Sequence, residues 1–128
     1  MPIHIPAPAR IPGVGTKPKV IEEYIGRKNS GEARLSVARM RILRSFWVGA
    51  GPDAGFDEFT LVLSGALYVC HREGRLIVRE GEAVVAKAGE WVQYSTPEGE
   101  TEYVAICLPA FSPTRCIATR SCAAPGPE

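Results

Sequence analysis

Between Gly55 and Thr96 glycine recurs at the ends of short apolar runs, a punctuation that leaves room for strands and tight turns and for little else. Leu61-Val62-Leu63 runs into Ser64-Gly65, and Glu82-Ala83-Val84-Val85-Ala86 follows Gly81 and runs into Lys87-Ala88-Gly89. Trp91 to Ser95 then forms the partner of the second run, so one plan of two strands and a glycine-closed turn is used twice. The stretch Ala66 to His71 completes a hairpin with Glu58 to Leu63 about Ser64-Gly65. Arg75 to Arg79 follows the turn Arg72-Glu73-Gly74, and Tyr103 to Leu108 follows Pro97-Glu98-Gly99-Glu100. Strand signals spaced by about 8 to 12 residues, with no amphipathic helical period between them, specify an all-β sandwich or barrel.

The flanks read differently. Residues 1–19 carry Pro2, Pro6, Pro8, Pro12 and Pro18, which forbid a helix or a central strand and make this stretch an arm. Ile3, Ile5 and Ile11 give the arm apolar side chains with which to lie along the barrel or a second subunit. Residues 20–112 hold the barrel, and residues 113–128, rich in proline and small residues, form a flexible tail. A chain of 128 residues with 45% hydrophobic content has material for one core and one domain. A net charge of +1 supplies no field that would draw in nucleic acid or an anionic membrane. Neither a membrane-length apolar segment nor a secretory leader pattern is present, and the expected location is the cytoplasm. Cys70, Cys107, Cys116 and Cys122 make no Cys-x-x-Cys pair and are expected as free thiols.

The run Gly55-Phe56-Asp57-Glu58 with Gly65 seven residues after Glu58, and the later Gly81, Gly89 and Trp91 to Thr96, resemble the two motifs of the cupin family. The resemblance spans Val37 to Pro109 and implies a double-stranded β-helix, or jelly-roll, barrel. Phe46-Trp47, Phe56-Asp57-Glu58 and Val62-Leu63-x-Gly65 look most like the ethanolamine-utilisation cupins. Those cupins also lack the metal-binding histidines. In this chain Pro52-Asp53-Ala54 stands where the paired histidines fall, Val92 at the later histidine, Thr96 at the asparagine and Lys87 at the proline. Of the usual metal ligands only Glu58 remains. The resemblance therefore implies an interior with no cofactor, and a divalent metal is the weaker alternative.

In that fold the motif glutamate points into the barrel, where a carboxylate is costly unless it meets a cation, a metal or several donors. Glu58 is accordingly the candidate catalytic residue, the alternative being a structural partner of Arg39 or Arg41. Tyr94 shares strand parity with Val92, which the resemblance places inward, so its phenol is the candidate partner of Glu58. Between Leu35 and Leu43 the alternation puts Arg39 and Arg41 on one strand face and Ser36, Ala38, Met40 and Ile42 on the other. Either the arginines face solvent in ion pairs with a neighbouring strand, or one turns inward to hold a carboxylate or phosphate in a bidentate fork. Trp47, Phe56, Tyr68 and Tyr103 are candidate lining residues, with plain core packing as the alternative for each.

Two readings of function follow. In the first, a metal-free barrel binds a small anionic metabolite, as a carrier, a sensor or an accessory protein of a catabolic pathway. In the second, the chain is a small enzyme, an isomerase, cyclase or lyase, with Glu58 as general acid or base and Tyr94 beside it. A metal-dependent dioxygenase is the weakest reading. A homodimer is expected, because Phe59, Leu61 and Leu63 share an outward strand face that a second copy would cover.

Overall fold

A computed structural model describes residues 1–11, 19–50 and 55–112. The described residues form strands β1 (Ala9–Ile11), β2 (Lys19–Ile25), β3 (Ser36–Ile42), β4 (Ser45–Ala50) and β5 (Asp57–Ser64), with no helix. Strands β6 (Ala66–His71), β7 (Gly74–Arg79), β8 (Ala83–Ala86), β9 (Val92–Thr96) and β10 (Thr101–Leu108) complete the set. Two antiparallel sheets result, one of six strands in the order β1-β2-β3-β10-β5-β8 and one of four in the order β4-β9-β6-β7. This is the all-β jelly-roll barrel expected from the sequence. Two pairings expected from the sequence do not form: β5 and β6 lie in different sheets, β5 between β10 and β8 and β6 between β9 and β7, and β8 pairs with β5 while β9 pairs with β4 and β6, so each of these turns carries the chain from one sheet to the other.

Alternation decides what lies between the sheets. On β3 the inward set is Ser36, Ala38, Met40 and Ile42; on β10 it is Thr101, Tyr103, Ala105 and Cys107. These meet Leu67 and Val69 of β6, Val78 of β7 and Tyr94 of β9 in a single apolar core. Full burial of a side chain such as Leu67 or Ile42 contributes about 1.5–3 kcal/mol, and many such contributions together offset the ordering of the chain.

Gly65, between β5 and β6, adopts φ +84, and a Cβ there would stand 2.6 Å from the Glu100 carbonyl oxygen. The turn therefore requires glycine twice over, for its dihedral and for its closeness to the next loop. The carboxylate of Asp57 accepts a hydrogen bond from the Ala88 backbone N–H at 2.8 Å and so fixes the Lys87–Gly89 turn beside the start of β5.

Three further features differ from the sequence reading. Within the proline-rich arm, residues 9–11 form β1, which pairs with β2 at the edge of the larger sheet. Proline confines a strand to an edge and does not abolish it, since residues between prolines still offer N–H and C=O groups to one neighbour. Gly49 and Ala50, whose composition reads as a loop, belong to β4 and pair with Tyr94 and Gln93. Cys107 is a buried thiol as expected, but Cys70 is disulfide-bonded. Cys70 lies on the face of β6 opposite the core residue Val69, where a thiol is not sealed in by the two sheets.

Candidate active site

Inward positions on three strands bring five polar side chains together. Glu58 and Thr60 project from β5, Tyr94 from β9, and Tyr103 and Cys107 from β10. The pairing sets the rungs: Glu58 is opposite Cys107, Thr60 opposite Ala105, and Val62 opposite Tyr103. Glu58 is half-buried, while Thr60, Tyr94, Tyr103 and Cys107 are buried. The carboxylate thus stands where the interior meets the surface, with the phenols behind it.

The Tyr94 hydroxyl donates to Glu58 Oε1 across 3.5 Å, a long contact. Burial pushes the Tyr94 phenol well above its ordinary range. The negative charge of Glu58 adds to this, Tyr103 adds less, and the Thr60 hydroxyl works in the opposite direction. Tyr103 is likewise pushed up, first by burial, then by Glu58 and Cys107. Both phenols are therefore protonated at any physiological pH and act as hydrogen-bond donors. A carboxylate that accepts protons next to a phenol that donates hydrogen bonds is an arrangement suited to general base catalysis with stabilisation of a developing oxyanion.

The assignment of Arg39 and Arg41 to ligand binding is corrected by the structure. Arg39 lies on the outer face, with Nη2 3.2 Å from Glu22 Oε1 and Nε 3.3 Å from Glu102 Oε2. Arg41 pairs with Glu100 Oε2 at 3.8 Å on the same face. The two strands flanking β3 supply these carboxylates or their neighbours, and solvent serves a guanidinium better than an apolar interior does. Neither arginine can be the partner of Glu58 across the sheet.

Tyr68 is also corrected, because it faces away from the core. Its hydroxyl donates to Glu98 Oε2 at 2.5 Å, and the Arg75 guanidinium lies 5.9 Å from its ring centroid. The bond to Glu98 raises the Tyr68 phenol, and the bonds from Tyr68 and Arg79 lower the Glu98 carboxyl. Phe56 is buried immediately before β5 and packs edge-on against Phe111, with ring centroids 6.0 Å apart. The side chain of Trp47 and all of Asp53 lie outside the described residues.

At the positions where the motif would carry metal ligands, Val92 packs against the core and Thr96 donates its hydroxyl to the Leu43 carbonyl at 3.0 Å. His71 closes the β6–β7 hairpin by accepting the Glu73 N–H at its Nδ1, and His4 is exposed in the arm. Among the described residues no group of three His, Cys, Asp or Glu side chains converges to hold a metal ion. Thr60 and Cys107 were not singled out from the sequence. Counting two residues from Glu58, and applying the same alternation to β10, would have found both.

No family model matches the chain, and no curated protein does. Solved structures do match. Streptomyces PAC13, described as a unique nucleoside dehydratase, superposes with a TM-score of 0.71 at 14% identity over 94% of this chain and 91% of its own. The Clostridium difficile EutQ protein gives 0.56 at 20% identity over 72% of this chain and 64% of its own. The SPY1581 protein of Streptococcus pyogenes, of unknown function, gives 0.62 at 14% identity over 77% and 80%. Identities of this size establish a shared fold and carry no activity across.

Proposed function

We propose, from the premise that the chain is a small cupin-fold barrel, that its interior binds a small uncharged molecule and catalyses proton transfer on it, as a lyase or isomerase does. One observation carries this reading: inside the barrel the Tyr94 phenol, held protonated, stands 3.5 Å from the Glu58 carboxylate. Expectation of an anionic ligand rested on an inward arginine. With Arg39 and Arg41 paired outside, the interior offers a carboxylate to its ligand, which repels anions. Hydroxyl-bearing neutral molecules suit the groups present. That a nucleoside dehydratase is built on the same fold supports proton-transfer chemistry in such a barrel.

In the lyase form, Glu58 takes a proton from a carbon next to a carbonyl. Tyr94 donates a hydrogen bond to the carbonyl oxygen as it gains charge. The hydroxyl on the following carbon then leaves with the proton from Glu58, forming a carbon–carbon double bond and water. In the isomerase form the proton returns to a different carbon. No step requires a metal, and purified protein should contain far less than one equivalent of iron, manganese, nickel or zinc by plasma emission. Near-stoichiometric metal would restore the dioxygenase reading.

The test is a ligand screen by thermal shift, with neutral polyhydroxylated carbonyl compounds beside dicarboxylates and sugar phosphates. Neutral compounds should stabilise the protein, and in D2O the protein should exchange the hydrogen next to their carbonyl. Glu58→Gln should slow that exchange by about 10²-fold or more, the usual size of a lost general base. Selective binding of an anion, unchanged in Glu58→Gln, would overturn the reading. We also infer that two copies associate through the outer face of the six-stranded sheet, where Phe59, Leu61, Leu63 and Val85 are exposed.

A further inference from the structure

Cys70 lies on β6 with its side chain on the outer face of the four-stranded sheet, away from the core residue Val69. It is disulfide-bonded, while Cys107 is a free, buried thiol. Within one chain of four cysteines, that leaves Cys116 and Cys122 as its candidate partners, both beyond the described residues. The bond therefore ties β6 to the C-terminal segment 113–128.

The surroundings of Cys70 are those of a covered face. Directly opposite on β9 stands Gln93, only 1% exposed although its neighbour Tyr94 is the residue that points to the core. Oε1 and Nε2 of Gln93 both lack a hydrogen-bond partner among the described residues. Ser95, the next residue on that face, is also buried. Outer positions of an antiparallel sheet are commonly wetted, and an amide kept dry without partners gives up its hydration uncompensated. A cover over this face is opposed by that amide, which regains water once the covalent bond is cut.

The place of the bond bears on the site described above. Val69, beside Cys70, is opposite Tyr94, whose hydroxyl donates to Glu58. On the larger sheet Cys107 is opposite Glu58. From there the chain runs to Phe111, whose N–H donates to Ser36 Oγ at 2.9 Å and whose ring meets Phe56. The chain thus leaves the larger sheet at the Glu58 end of the barrel, and Cys70 marks the same level on the other sheet. Cys116 follows Ser112 by four residues and Cys122 by ten. Extended, these reach about 14 and 35 Å, against about 10 Å between packed sheets.

We propose that the Cys70 disulfide is a redox switch: oxidised, it straps the C-terminal segment over the Glu58 end of the barrel; reduced, it frees the segment and opens the way to Glu58. The reductant is a low-molecular-weight thiol or a protein dithiol. Its thiolate attacks one sulfur of the bond to form a mixed disulfide, and a second thiolate resolves it. Two electrons pass to the protein, which keeps two thiols, and the reductant leaves as a disulfide. Arg75, opposite Cys70 on β7, sets a guanidinium beside the departing thiolate. The strap rests on the covalent bond; its consequence for Glu58 rests on the function proposed above.

Trypsin puts each cysteine in its own peptide: 45–72 holds Cys70, 88–115 Cys107, 116–120 Cys116 and 121–128 Cys122. After alkylation without reduction, mass spectrometry should find 45–72 joined to 116–120 or to 121–128. Cys70 alkylated as a free thiol, or joined to Cys107 or to a second Cys70, would overturn the strap. Glu58 is then labelled with a water-soluble carbodiimide and glycine ethyl ester in oxidised protein and after dithiothreitol. Its labelling should rise several-fold on reduction, while that of the exposed Glu80 stays constant. Cys70→Ser, or Cys70→Ala where the serine variant does not fold, should label at the reduced rate under both conditions. Equal labelling of Glu58 in oxidised and reduced wild type defeats the switch. Neither readout uses a substrate, so failure of the switch and failure of the proposed reaction are told apart.

Discussion

Tyr94 and Tyr103 tie the interior to alkaline stability. Below the ordinary phenol value of 10.0 both are protonated in the folded and in the unfolded chain, so they contribute no pH dependence there. Above it the unfolded chain releases their protons and the folded chain keeps them. Stability is therefore lost as pH rises beyond about 10, by up to ~1.4 kcal/mol per pH unit for each tyrosine. Urea midpoints between pH 9 and 11.5 should fall steeply in wild type and less steeply in Tyr94→Phe and Tyr103→Phe. A slope unchanged in both variants would show that other groups control the alkaline limb. At this scale the sequence informed unevenly. Strand parity together with the cupin resemblance paired Glu58 with Tyr94. Alternation also separated Arg39 and Arg41 from Ala38 and Ile42, and burial of Ala38 and Ile42 against strands distant in sequence turned that face inward. Thr60 was overlooked because threonine in a strand reads as an ordinary strand former.

Among the elements, the turn between β5 and β6 carries the clearest test of local geometry. Gly65→Ala meets both a left-handed φ of +84 and a Cβ only 2.8 Å from Thr101 Oγ1, whose hydroxyl donates to the Ala66 carbonyl at 3.1 Å. The expected loss is about 3 kcal/mol, from backbone strain together with the displaced loop. Gly81→Ala is the control: its φ is +83, yet nothing lies within 4 Å of the added Cβ. It should cost roughly 1 kcal/mol, from strain alone. Equal losses in chemical denaturation would remove the contribution assigned to the neighbouring loop. Glycine punctuation and period-two alternation placed most strands within a residue or two because each signal is local. The extra reach of β4 and the existence of β1 escaped, because both depend on a partner strand that supplies pairing the segment's own composition does not advertise.

For the whole molecule, the outer face of the larger sheet has an organisation of its own. Val37, Ile106, Phe59 and Val85 form one row across four strands, and Val104 and Leu61 extend it in the next. Phe59 and Val85 remain 39% and 51% exposed, and the arginine–glutamate pairs of β3 border the row. Phe59→Glu sets a charge in the middle of this surface, and should turn a dimer into a monomer in sedimentation velocity at micromolar concentration while leaving the fold intact. A wild-type monomer under the same conditions would refute the dimer. At the opposite margin of that sheet, β1 occupies one side of β2 through the pairs Ala9 with Glu23 and Ile11 with Ile21. Without residues 1–11, β2 would display a row of unsatisfied backbone donors and acceptors, a template on which further chains add strand by strand. The short arm thereby acts as a guard against fibrillation, and its removal should produce thioflavin-positive aggregates even where the barrel itself stays folded.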